Sequence, residues 1–255
     1  MTGAKWICAA ALVAALGWAA VGMGAADKAT DAKINVVVVT GGHGFEEKPF
    51  LAVFETMDGI TFTHAPQKDD SELFEDTSQW KYDVIVLYNM GQKISEKRRK
   101  NFMALLQKGV GVVTMHHALA CWQDWPDFAN KIAGGKFYLK DTEENGVVRK
   151  TSGYKHGVDF TVHIEDPNHP ITKGLKDFAI HDETYCRYSV SPKVHVITTT
   201  DEPTCEKAIG WTLGCGPART CYLINGHDAK AYENPNYLKL VSNAIRWAAK
   251  KEKTP

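Results

Sequence analysis

Charge of one sign is what this sequence most plainly lacks. Its 30 Lys and Arg residues are matched by 30 Asp and Glu, so the formal net charge is zero. Without a basic excess nothing is available to hold a polyphosphate backbone, and no nucleic-acid partner is expected. Beyond residue 26 no apolar run is long enough to span a bilayer. No two cysteines are spaced CxxC, which argues against a cysteine zinc site. GxSxG, P-loop and HExxH motifs are all absent. Gly41-Gly42-His43-Gly44 is too short and wrongly spaced to cradle a dinucleotide. There is no internal repeat and no Pro/Ser-rich linker, so the bulk of the chain is expected to form one domain.

What is present begins with an apolar N-terminus. Lys5 precedes the run Trp6 to Leu16, which continues in small residues to Gly24-Ala25-Ala26. A positive start, an apolar stretch and small residues before Asp27 read as a signal peptide over 1–26, followed by one domain over 27–255. The expectation is an exported protein, periplasmic or extracellular, free of the membrane after cleavage; an uncleaved anchor is the alternative. Cys8 leaves with the signal. The other five, Cys121, Cys186, Cys205, Cys215 and Cys221, are odd in number, so at least one thiol stays unpaired in a monomer. Export permits disulfides, and Cys215 and Cys221 could bridge a hairpin.

Ile34 to Val39 is a continuous β-branched run that stops at Thr40-Gly41-Gly42, the pattern of a fully buried strand. Phe50, Val53, Phe54 and Met57 then fall on one helical face. A second strand pattern covers Tyr82 to Tyr88. Ser95 caps a helix with Phe102, Leu105 and Leu106 inside, which Gly109 stops, and a third strand pattern, Val110 to Met115, ends at His116-His117. Strand, helix, strand, helix, strand predicts parallel βαβ units, with ligands beyond the carboxyl ends of the strands. Downstream, Trp122, Trp125, Phe128 and Ile132 suggest a short helix, and Lys140 to Ser152 an exposed loop. Phe160 to Ile164 and Val194 to Ile197 read as strands, Ala208 to Ile224 as a hairpin. A closing helix after Pro235 would bury Leu238, Val241, Ile245 and Ala248.

Ten histidines occur, and their placement matters more than their number. His43 follows the first strand, His116 and His117 the third, and His227, in Asn225-Gly226-His227-Asp228, the last. If the sheet is parallel through this region, all converge on one edge, where neutral imidazoles can bind a metal or move a proton near neutral pH. Each also has a plain structural reading, as a turn-filler or a core residue bonded to backbone. In His181-Asp182-Glu183-Thr184-Tyr185 a carboxylate pair adjoins an imidazole and a phenol; Glu183 could act as base or orient a histidine, or the segment could be a polar turn. His156 is a candidate for the mouth of the site. His163, His169 and His195 are given structural roles.

Taken in order, several segments resemble the ThuA-like (trehalose utilisation) family: Gly41 to Phe45, Val86 to Gly91, Val112 to Leu119, Gly134 to Phe137, His169 to Leu175, Asp182 to Tyr185, Asn225 to Asp228 and Ile245 to Ala249. The resemblance implies a flavodoxin-like α/β fold, an open, mainly parallel sheet with helices on both faces, related to class I glutamine amidotransferases. Those relatives carry a nucleophilic cysteine at the elbow after a central strand. Here His116-His117 holds that place and Cys121 comes later, so amidotransferase chemistry is not carried over. The hairpin Gly214 to Arg219 also departs from the family's pattern.

The family implies a role in carbohydrate use. The expected function is therefore an exported enzyme acting on a disaccharide, glycoside or keto-sugar. His43, His117, Glu183 and His227 are the catalytic candidates; Tyr88, His116, His156, Asp182, Tyr185 and Asp228 would contact a small sugar ligand. His43, His117 and His227 are the expected ligands if a divalent metal such as zinc takes part. A non-catalytic carbohydrate-binding or accessory protein is the alternative; metal storage is disfavoured because the histidines are scattered rather than clustered in a tract.

Overall fold

The structure is a computed structural model and describes residues 33–144 and 146–252. The N-terminal apolar run, with its signal-or-anchor reading, lies outside the described residues. Among those that are described, no helix is long and apolar enough to cross a membrane.

In chain order the elements are β1 (Ile34–Gly41), α1 (Glu47–Glu55), β2 (Ile60–Pro66), β3 (Val84–Asn89), α2 (Glu96–Gln107), β4 (Gly111–Met115), β5 (Gly135–Lys136), β6 (Thr142–Glu144), β7 (Val147–Arg149), β8 (Gly153–Ile164), β9 (Phe178–Cys186), β10 (Ser189–Val190), β11 (His195–Thr199), β12 (Ala208–Cys215), β13 (Ala218–Leu223), α3 (Ala229–Tyr232) and α4 (Pro235–Ala248). Nine strands form one sheet in the order β2-β1-β3-β4-β13-β12-β11-β8-β9. The first five are mutually parallel and the rest antiparallel. This is the flavodoxin-like α/β architecture, with an antiparallel extension beyond β13.

The central strands are apolar on both faces because both are covered. Val36 to Val39 and Val84 to Leu87 are completely buried. On one side α1, α3 and α4 pack together, around Phe50, Tyr88 and Tyr232. Elsewhere Phe102 of α2 gathers Phe74, Trp122 and Trp125 into a second aromatic cluster. Ser95 caps α2 by accepting from the Arg98 amide, and Asn234 caps α4. The buried stripe of α4 includes Tyr237, Leu240, Val241, Ala244, Ile245 and Ala248, whereas Leu238 is only partly covered.

Four local expectations are corrected. The Trp122–Ile132 segment forms a turn and a π-helical stretch, Phe128–Ala133, ended by Gly134 in the left-handed region. Part of Lys140 to Ser152 folds as the β6–β7 hairpin. His181 to Tyr185 is not a turn but the body of β9. Lastly, Cys121, Cys186, Cys205, Cys215 and Cys221 are all free thiols. Across the β12–β13 hairpin Cys215 faces Ala218 and Cys221 faces Thr212. Three ladder positions separate the two cysteines, an odd number that also puts them on opposite faces, so no bridge can close.

Candidate functional site

β13 lies beside β4 and parallel to it, which places the chain after Leu223 next to the chain after Met115. Here the backbone turns sharply. His116 adopts φ 51°, a left-handed conformation that costs a residue with a Cβ roughly 1–2 kcal/mol. Strain of this kind persists where surrounding contacts over-determine it. His116 has them: its Nδ1 donates to Ile224 O at 2.7 Å, and Tyr222 OH donates to its carbonyl at 3.1 Å. Because a carbonyl only accepts, the proton of the neutral ring is on Nδ1, and Nε2 presents a lone pair.

That lone pair meets a crowd. Tyr185 OH lies 2.9 Å away, His227 Nδ1 3.1 Å and Glu183 Oε2 3.1 Å. Glu183 Oε2 is also 3.5 Å from His227 Nδ1, and its other oxygen accepts from His156 Nδ1 at 2.8 Å. Burial pushes the Glu183 carboxyl up, but His116 first, and then His227 and His156, outweigh it and hold its pKa below the ordinary value. His227 shifts down, through burial first and His116 second. Among the described residues, His116, Glu183 and His227 are the group whose donor atoms converge within 4.8 Å.

His117 points elsewhere. Its Nε2 lies 3.2 Å from Tyr88 O and must donate to it, while Nδ1 is buried and without a partner. The His43 ring stacks on it at 4.4 Å between centroids. Burial, then His116 and His43, drive its pKa well below the usual histidine range, so it is neutral at pH 7. Glycine holds His43 in place: Gly42 has φ 74°, and a Cβ there would sit 2.7 Å from Gly91 N.

Across the site, β8 delivers His156 through a bulge. Tyr154 pairs with Tyr185 and Val158 with Asp182, leaving an extra residue between. Gly157, at φ 64°, takes up the turn. His43, His117, His156, Glu183 and Tyr185 line a pocket of about 370 Å³, walled by Met90, Phe137, Leu139 and Tyr154. That volume lies within the range of roughly 300–1,000 Å³ of small-molecule sites.

Three residues expected to touch substrate do other work. Tyr88 is buried, with its hydroxyl bonded to Gly226 O and Tyr232 OH. Asp182 is wholly buried and accepts the amides of Glu183, Gly226 and His227, which pins the His227 loop to β9. Burial raises its pKa, opposed by His116 and those three amides. Asp228 caps α3, accepting from the Lys230 and Ala231 amides. His116 is fully buried behind Glu183 and Tyr185 rather than facing the pocket. The three histidines expected as metal ligands are not brought together: His43 and His117 stack face to face, while His227 converges with His116 and Glu183. Sequence reasoning missed the walls Met90, Phe137, Leu139 and Tyr154, which no motif or alternation marked out.

The trehalose-utilisation family model, ThuA, matches residues 35–248. The chain belongs to the ThuA family. Two solved ThuA-like proteins share its fold: one from Parabacteroides merdae, at 22% identity and TM-score 0.70, covering 88% of this chain and 92% of that one, and one from Bacteroides uniformis, at 21% identity and TM-score 0.65, covering 90% and 96%. A β-galactosidase from Bacillus circulans sp. alkalophilus contains a similar region, with TM-score 0.54 and 11% identity over 88% of this chain and 32% of that one. No curated protein matches the sequence. Membership of the ThuA family gives the chain a carbohydrate-related setting.

Proposed function

We propose that this ThuA protein is an exported enzyme acting on a small sugar, a disaccharide, glycoside or keto-sugar derivative. One observation carries the reading: a buried carboxylate, Glu183, is contacted by three histidines at the floor of a pocket also lined by His43 and His117. Burying a carboxylate costs stability even when it is paired, and such groups concentrate at functional sites.

The residues divide the work. With Nε2–H tied to Tyr88 O, His117 holds a neutral ring with Nδ1 unprotonated beside the pocket. His156, whose side chain is 58% exposed, shares a proton with Glu183 Oε1 and links the buried floor to solvent. Met90, Phe137, Leu139 and Tyr154 supply apolar surface against which the C–H face of a sugar packs. Residues 1–26 serve as the export signal in this reading, and the partner is a small sugar.

Disaccharides, glycosides and 3-keto-glycosides incubated with the wild-type protein and with Glu183→Gln test it, with products followed by mass spectrometry. Turnover by the wild type and its loss in the variant are expected. Binding without product from every sugar would favour the accessory, non-catalytic role.

A further inference from the structure

Three acceptor-capable atoms face one another behind the pocket floor. His116 Nε2 to Glu183 Oε2 and His116 Nε2 to His227 Nδ1 are both 3.1 Å, and Glu183 Oε2 to His227 Nδ1 is 3.5 Å. Zinc bonds to nitrogen and oxygen of about 2.0–2.2 Å place the corners of a tetrahedron about 3.3–3.6 Å apart. The observed triangle matches those edges to within a few tenths of an ångström. It also has the outer bonding such sites need. His116 donates Nδ1–H to Ile224 O, which fixes the tautomer that leaves Nε2 free. The backbone amide of His227 is held by Asp182.

We propose that His116 Nε2, Glu183 Oε2 and His227 Nδ1 are ligands of a single zinc-type divalent cation, held behind the pocket floor. Two imidazoles and one carboxylate select a first-row transition ion over magnesium or calcium, which prefer all-oxygen shells. Glu183 uses one oxygen on the cation and keeps the other on His156. Tyr185 OH, 2.9 Å from His116 Nε2, stands between this site and the pocket that Tyr185 also lines. This assignment stands apart from the sugar-enzyme reading, because its test uses no substrate.

The chain is purified without a histidine tag, dialysed against chelator and titrated with ZnCl₂ in competition with a chromophoric chelator. One equivalent is expected to bind. Loading with Co(II) is expected to give the intense visible bands of a four-coordinate site. His227→Ala and Glu183→Gln should each weaken binding by more than the roughly 10–100-fold that loss of an outer partner costs. His163→Ala removes a competing surface cluster, in which His163 lies 2.8 Å from Asp177 and 3.4 Å from Asp201; binding should not change. In the wild type, Co(II) should broaden the His116 and His227 ring resonances and leave those of His163 and His195 sharp, a readout that needs no variant to fold. Absence of stoichiometric binding overturns the proposal. So does binding that survives both ligand substitutions, or broadening confined to His163 and His195.

Discussion

Replacing His117 by Phe separates a residue kept for its chemistry from one kept for the fold. The side chain makes one hydrogen bond, Nε2 to Tyr88 O at 3.2 Å, and leaves Nδ1 buried and unpaired. Losing a neutral hydrogen bond costs about 0.5–1.5 kcal/mol, and an unsatisfied buried polar atom costs about 1–3 kcal/mol. The two oppose each other in His117→Phe, because the phenyl ring removes both. A ring of similar size also keeps the packing against His43 and Tyr88, whose ring centroids are 4.4 and 4.3 Å away. Urea unfolding should therefore show a change between a loss of about 0.5 and a gain of about 2.5 kcal/mol. Turnover, by contrast, should fall by about 10²–10⁴, the usual contribution of a positioned acid or base. Nitrogen-15 NMR of the wild-type ring should show Nε2 protonated and Nδ1 bare. A protein that loses several kcal/mol of stability, keeps its turnover, or carries the proton on Nδ1 would refute the assignment.

Three further outcomes are expected. Tyr154→Ala should weaken sugar binding by about 0.5–1.5 kcal/mol in calorimetry, because its ring is 63% exposed at the pocket wall and supports little else. Gly42→Ala should destabilise the fold by roughly 1–3 kcal/mol in chemical denaturation, since a side chain there meets both the strained φ of 74° and the backbone of Gly91. On the surface, Arg98 holds the Asp69 carboxyl down to about 2, first through their hydrogen bonds. A depressed carboxylate stabilises the fold above its unfolded value near 3.8 and loses that contribution as pH falls through about 2. NMR titration of Arg98→Met should move the Asp69 midpoint back toward the ordinary value.

The parallel half of the fold was legible because burial on both faces forces unbroken apolar runs such as Val36 to Val39. The strand-end histidines followed from it, since three of those runs stop at His43, His116 and, across the hairpin, His227. In the large sheet, β2 and β9 gave no such signal. β2 is an edge strand, Ile60–Pro66, with mostly half-covered positions, so no face demands a clean apolar pattern. β9 interrupts its own alternation with Asp182 and Glu183, because the site occupies the strand's interior. Which nitrogen faces which neighbour was not readable either. His116 and His117 look equivalent in sequence, yet the left-handed φ of His116 turns one ring behind Glu183 and the other toward His43.

The bulge in β8 makes chain length itself a determinant of chemistry. Tyr154, His156, Val158, Phe160 and Val162 are all even-numbered, and an unbroken strand would send every one of them to the same side. The extra residue between Lys155 and Val158 shifts the phase by half a pleat. Tyr154 and His156 then line the pocket while Val158, Phe160 and Val162 enter the core. Deleting Gly157 would leave the composition almost untouched but force a choice between an inverted core and a pocket without His156. A one-residue deletion here is thus a change of function written in spacing rather than in side chains, and the alternation of the sequence gives no warning of it.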